Sequence, residues 1–107
     1  MIRYKAHQVS PSDVEAVLLR HPAVADVAVI PKNDIEAGEI PKACIVIELG
    51  ADVSAQQLMD FVAEHVSPMS RVREVEFVDV IPKNASGKIL RREFIARERA
   101  AASNKQD

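Results

Sequence analysis

The sequence has one cysteine, three glycines, no tryptophan, and only one tyrosine and three phenylalanines among its 107 residues. Each scarcity excludes something. The lone Cys44 cannot form an internal disulfide, so the fold must stand on its core, and a reducing, cytoplasmic setting is the natural expectation. Tyr4, Phe61, Phe77 and Phe94 are too few for the stacking platform of a single-stranded nucleic-acid binder. No run of 18 consecutive apolar residues occurs, so no transmembrane helix is expected. The opening "MIRYKAHQVS" has no apolar core of a signal peptide. The cysteine and the three histidines are not grouped at zinc-ligand spacing, so no metal site is expected. With glycine this rare, Gly38, Gly50 and Gly87 each mark a turn that needs positive φ.

What is present suits one small globular domain. Apolar residues make up 48% of the chain, too many for a disordered segment. A chain of this length buries roughly two-thirds of its unfolded surface, enough for one modest core. The net charge of −2 conceals an asymmetry: residues 1–80 carry seven basic and thirteen acidic side chains, and residues 81–107 carry seven basic and three acidic. A positive end on a mildly acidic body points to an anionic partner there, or else to a solvated terminal helix of mixed charge.

Periodicity gives the order (β)-α-β-β-α-β-α. In "VSPSDVEAVLLRHP", Ser10 is placed as N-cap, Pro11 at the first helical position and Asp13 at a capping-box-like spacing, with Val14, Val17 and Leu18 on one face. "AVADVAVIP" alternates as a strand, "KNDIEAGEIP" reads as a polar loop, and "KACIVIEL" reads as a strand covered on both faces, with Cys44 buried in it. "SAQQLMDFVAEHVSP" is a second amphipathic helix. "REVEFVDVIP" is a third strand. A last helix runs from about Arg91 to about Ala101. Arg3 to Val9 is expected as a small strand or hairpin. The fold class is therefore α+β: a small mixed sheet of about three strands with three helices packed on it, plus a short N-terminal hairpin. One domain over residues 1–101 and a frayed tail over 102–107 are expected.

The stretch "IPKNASGKILRREF", residues 81–94, carries the candidate chemistry. Its Gly-Lys pair invites comparison with the phosphate-binding loop G-x-x-x-x-G-K-[ST], and the match fails twice: Pro82 occupies the first glycine position, and Ile89 the place of the metal-binding hydroxyl. What remains is a loop stiffened by Pro82 and reversed at Gly87. It holds the Lys88 ammonium near a helix start, which reads either as a solubilising surface lysine or as a point charge able to meet a phosphate or carboxylate.

The whole of "FVDVIPKNASGKILRREF" resembles the C-terminal signature of the adenylate-forming superfamily, which holds the acyl- and aryl-CoA synthetases, the firefly-type luciferases and the adenylation domains of peptide synthetases. Pro82, Lys83, Gly87, Lys88, Ile89 and Arg91 match that signature. "IRYKAHQVSPSDVEAVLLRHPAVADVAVI" is similar to the family's segment after its interdomain hinge, and "AGEIPKACIVI" to its middle loop and strand. The resemblance covers nearly all of residues 2–97 and lies closest to the fatty-acyl and coumarate–CoA ligases.

The resemblance implies a mobile lid that closes over a large N-terminal domain. That domain binds most of the ATP, its Mg2+, the CoA and the carboxylic acid, and it is the expected partner of this one. Lys88 is implied as the catalytic cation in acyl-adenylate formation, supported by Pro82 and Gly87. After a swivel of the lid, the opposite edge serves the transfer of the acyl group to CoA. Arg3 and Gln8 are implied beside the adenylate, and Lys5 and Ala6 beside CoA. Ala6 stands where the family commonly has glycine, and His7 where it commonly has an aromatic residue. The family's hinge falls just before Ile2, which implies an excised domain, inactive alone. The residues themselves leave other readings open: the lid of a luciferase-like or peptide-synthetase enzyme, a module binding anionic polymers through residues 83–99, or an interaction domain docking on a separate large subunit.

Overall fold

In the computed structural model, residues 2–5 and 7–104 are described, with Met69 and 101–104 described by their backbone alone. Three strands build the main sheet: β3 (Val24–Asp34), β4 (Gly38–Ile47) and β5 (Glu74–Phe77). β3 and β4 form a long antiparallel ribbon with a bulge between Val24 and Asp26, and β5 runs parallel to β4 along its other edge. The expected N-terminal hairpin is β1 (Ile2–Tyr4) and β2 (His7–Val9). It is not separate. It joins the sheet through Tyr4 opposite Gly38, giving five strands in one mixed sheet, with β4 central.

Alternation along β3 and β4 divides two apolar clusters. Val27, Val29, Ala43 and Ile45 face one side, where α1 (Pro11–Leu18) and α2 (Ala55–Ala63) bring Val14, Leu18, Leu58 and Val62, and the hairpin brings Ile2 and Val9. Ala28, Ile30 and Cys44 face the other side, covered by Ile81 and by Phe94 of α3 (Arg91–Asn104). Coverage of both faces is what the unbroken apolar run in β4 predicts. Burial pushes the Cys44 thiol up to about 11, so it stays protonated at neutral pH and is no nucleophile.

Three local expectations are corrected. Ser10 is the N-cap of α1 but makes no side-chain cap bond; Asp13 is one methylene shorter than the Glu or Gln that reaches back in a capping box. The box forms at α2 instead, where Ser54 accepts from Gln57 N–H at 3.1 Å and Gln57 accepts from Ser54 N–H at 2.8 Å. Much of the segment read as a polar loop is strand. Pro31 and Pro41 lie directly opposite each other, so their missing donors interrupt the ribbon at one place. The last helix, expected to end near Ala101, continues to Asn104; residues 105–107 lie outside the described residues.

α3 has little apolar surface to bury and is fixed largely by charge. Lys42, 5% exposed on β4, meets Glu76 at 2.8 Å, Glu74 at 3.3 Å and Glu98 of α3. Burial by itself pulls the Lys42 ammonium down, but hydrogen bonds to Glu76 and Glu98 outweigh it and hold the group above its usual range. Burial likewise pushes Glu74 up, and the hydrogen bonds and charges of Lys32 and Lys42 outweigh that and leave it below its usual range. A carboxylate with a lowered folded pKa stabilises above the unfolded value, near 4.3 for Glu, and loses that contribution as pH falls through the folded value. The Lys42→Met variant leaves Glu98 without its cation and takes one of two cations from Glu74 and Glu76, which keep Lys32 and Arg97. Its melting temperature should drop at pH 7 by the equivalent of about 2 kcal/mol, since removing one partner of a buried pair is costly and these acids are partly exposed. At pH 4 the gap to wild type should narrow as the acids take up protons. A gap independent of pH between 4 and 7 would refute the electrostatic origin.

Candidate functional site

Between β5 and α3, residues 83–89 form a tight hairpin. Lys83 bridges to Ile89, Asn84 N–H donates to Lys88 O at 2.9 Å, and Gly87 N–H donates to Asn84 O at 2.9 Å. The Asn84 side-chain oxygen accepts from Ser86 N–H at 2.9 Å and Lys88 N–H at 3.0 Å. Gly87 sits at φ +84°, the left-handed residue that closes a three-residue hairpin loop after its turn. Pro82 O accepts from Leu90 N–H at 2.9 Å, which closes the base of the loop. Pro82 and Gly87 thus each take part in a defined backbone bond of one compact hook.

Lys88 projects from that hook. Its side chain is exposed, and among the described residues no carboxylate lies within ion-pair distance of it. The neighbouring cations behave differently. Lys83 Nζ lies 2.6 Å from Asp26 Oδ2 on β3. Arg91 donates through Nε at 3.1 Å and Nη2 at 2.5 Å to Glu15 of α1, a carboxylate 6% exposed that also accepts Val29 N–H at 2.7 Å.

The other sequence-predicted residues gather elsewhere. Arg3 and Gln8 are cross-strand partners in the β1–β2 hairpin, exposed on the face opposite the buried pair Ile2 and Val9. Lys5, just after β1, has φ +48°, a left-handed conformation that costs a non-glycine residue roughly 1 kcal/mol. Ala6 lies outside the described residues. Arg3 N–H donates to Glu39 Oε1 and Lys5 N–H to Ala37 O, both at 2.9 Å, which seats the hairpin on the Gly38 end of the β3–β4 ribbon. The Lys88 hook is tied to Asp26, at the other end. Asp26 and Asp34, which is paired with Gly38, are eight residues apart along β3, so the two anchor points on the ribbon lie about 27 Å apart at ~3.4 Å per residue.

Sequence reasoning missed the arginines beside the hairpin. A groove of ≈ 240 Å³ between α2 and the segment just before β5 is lined by Gln56, Asp60, Arg71 and Arg73. The Arg73 guanidinium lies 4.6 Å from the Tyr4 ring centre, donates from Nη2 to Pro68 O at 2.8 Å, and keeps its Nε buried with no hydrogen-bond partner among the described residues. Lys5 Nζ lies 5.6 Å from the same ring, so Tyr4 links the groove to the hairpin turn. The signal was the R-x-R spacing of "SRVREVEF", which puts both arginines on one side of an extended chain. Among the described residues no group of three potential metal ligands occurs, and no helix is long and apolar enough to cross a membrane.

Comparison with known proteins agrees with this geometry. A family model for the AMP-binding enzyme C-terminal domain matches residues 13–88. The chain is 54% identical over 95 residues to the 4-coumarate–CoA ligase-like 4 protein of Oryza sativa subsp. japonica, covering 89% of this chain and 17% of the rice protein. It superposes on Mycobacterium tuberculosis fatty acyl CoA synthetase with a TM-score of 0.81 at 33% identity, over 96% of this chain and 20% of that one. For the anthranilate CoA ligase AuaEII in complex with anthranoyl-AMP, the TM-score is 0.85 at 35% identity, over 94% of this chain and 20% of the ligase. The chain thus spans 17–20% of these proteins. Fold, hook and hairpin together with a family match over most of its length show that the chain belongs to the AMP-binding enzyme C-terminal domain family.

Proposed function

We propose that this domain is the moving lid of an AMP-forming acid–CoA ligase and serves its two half-reactions with opposite ends. The observation that carries this reading is the separation of an outward lysine hook from an exposed basic hairpin along one stiff ribbon. A single rigid body that carries the two groups on anchor points about 27 Å apart along β3 presents them to one small cavity in turn, by rotating between steps.

In the first step a carboxylate oxygen of the acid attacks the α-phosphorus of ATP, and pyrophosphate leaves. Negative charge crowds between two anions, and Lys88 neutralises it as a fixed cation without taking a proton. In the second step the CoA sulfur attacks the acyl carbon, and AMP leaves. Arg3 and Gln8 then border the adenylate, while Lys5, Arg71 and Arg73 supply positive charge for the phosphates of CoA. ATP, its Mg2+ and the acid are bound mainly by a large domain, so this domain has no activity of its own. Fatty and aromatic acids fit the names of its relatives.

The two halves are separable. In the full-length ligase, Arg3→Ala, Lys5→Ala and Arg73→Ala should slow thioester formation from supplied acyl-adenylate and leave pyrophosphate release near wild type. Arg73→Ala should also raise the KM for CoA, by about ten-fold for a loss of 1.4 kcal/mol. Equal losses in both steps would refute the two-ended assignment. A luciferase-like or carrier-protein-dependent enzyme would make the adenylate without forming acyl-CoA.

A further inference from the structure

Resting on that lid reading, we propose that Asp26 is a positioning residue for adenylation: through Lys83 it anchors the base of the hook and so fixes where Lys88 points. Three cations lie within nine residues, Lys83, Lys88 and Arg91. Two are held by acids on other elements, Asp26 of β3 and Glu15 of α1, and the third projects outward. The pairs sit on either side of the loop, one at Lys83 on its first arm and one at Arg91 where α3 begins, so together they fix its direction as well as its attachment.

Asp26 is itself held. Its Oδ1 accepts Val27 N–H at 2.9 Å while its Oδ2 meets Lys83 at 2.6 Å. It sits at the one register shift of the β3–β4 ribbon, where a bulge re-aims a side chain. Lys83 is bridged across the hairpin to Ile89, the residue after Lys88. A displacement at Asp26 is therefore passed to Lys88 through one ion pair and one backbone rung. The Lys83–Asp26 pair is partly exposed, at 40% and 27% for the two side chains, and exposed pairs add little to stability. What such a pair retains is geometry, and misplacing a reacting cation by about 1 Å can cost up to 10²-fold in rate.

The experiment measures pyrophosphate release and thioester formation from supplied acyl-adenylate separately in the full-length ligase. The variants are Lys88→Ala, Asp26→Asn, Lys83→Ala and the charge-exchanged double variant Asp26→Lys with Lys83→Asp. Asp26→Asn and Lys83→Ala should each lower the adenylation rate by about ten-fold or more, with unchanged KM for ATP, unchanged thioester formation and a melting temperature close to wild type. The double variant, with the pair restored in reverse, should regain most of the adenylation rate. If Lys88→Ala abolishes adenylation while both tether variants keep the wild-type rate, the anchoring role is overturned and the lid reading stands. If Lys88→Ala changes nothing, the lid reading and the anchor fall together. Equal loss in both half-reactions, or no recovery in a folded double variant, would show a general structural role and overturn the proposal.

Discussion

Replacing Lys88 by alanine in the full-length ligase should lower acyl-adenylate formation by about 10²–10³-fold, the usual loss when one preorganised charge-stabilising group is removed. Thioester formation from supplied acyl-adenylate should survive, because in the proposed two-ended reading that step uses the opposite edge of the domain. The size of the effect follows from the hook. Asn84 and Gly87 fix the backbone on both sides of Lys88 through hydrogen bonds at 2.9–3.0 Å, so the ammonium arrives without reorganisation. Lys88→Arg should recover only part of the rate, since a planar fork does not replace a compact point charge in a crowded transition state. Thermal unfolding of either variant should match wild type, because the side chain is exposed. Similar losses in both half-reactions would remove the role assigned to Lys88.

Glu15→Ala should produce the largest loss of stability, about 3–5 kcal/mol, the usual cost of breaking a buried ion pair from one side. For a domain of this size that corresponds to a fall in melting temperature of roughly 12 °C or more. The carboxylate accepts Val29 N–H inside the core and binds Arg91 with two bonds, so its removal strands a buried donor and releases the start of α3 together. Arg91→Ala should cost less, because Glu15 keeps its bond to Val29. Glu15→Gln should cost least, as the amide oxygen still accepts that N–H. Chemical or thermal unfolding of the three variants gives the ranking. A Glu15→Ala loss below about 1 kcal/mol would mean that the pair is hydrated and exchangeable, as at an ordinary surface.

The parts of the fold that could be read from sequence are those where one face meets the core. Val14, Val17 and Leu18 give α1, and Val27 to Ile30 give β3, because burial enforces the period. The three-strand count misses how the hairpin joins the sheet, since a single rung between Tyr4 and Gly38 leaves no periodic trace. The polar loop was misread for a related reason: beyond the core, the ribbon is held by backbone pairing, which does not care that its side chains are Lys32, Asn33 and Asp34. In the candidate site, Lys88 was legible because Gly87 and Pro82 announce a shaped turn. Asp26, Glu15 and Arg73 were not, since each acts through a partner between 57 and 76 residues away or on another element, and separations of that kind leave no local pattern. Lys42 defeats composition-based reasoning altogether, as a lysine in an apolar strand is made tolerable only by acids arriving from β5 and α3.

Cys44 gives the molecule a built-in reporter. Its sulfur is shut between β4 and α3, 1% exposed, in a chain with no second thiol. An alkylating reagent therefore reacts only as fast as α3 lifts from the sheet, and the labelling rate reads that opening without any probe being introduced. The opposite layer, where α1 and α2 pack, stays silent in the same measurement, so loosening of one side can be told apart from unfolding of the whole.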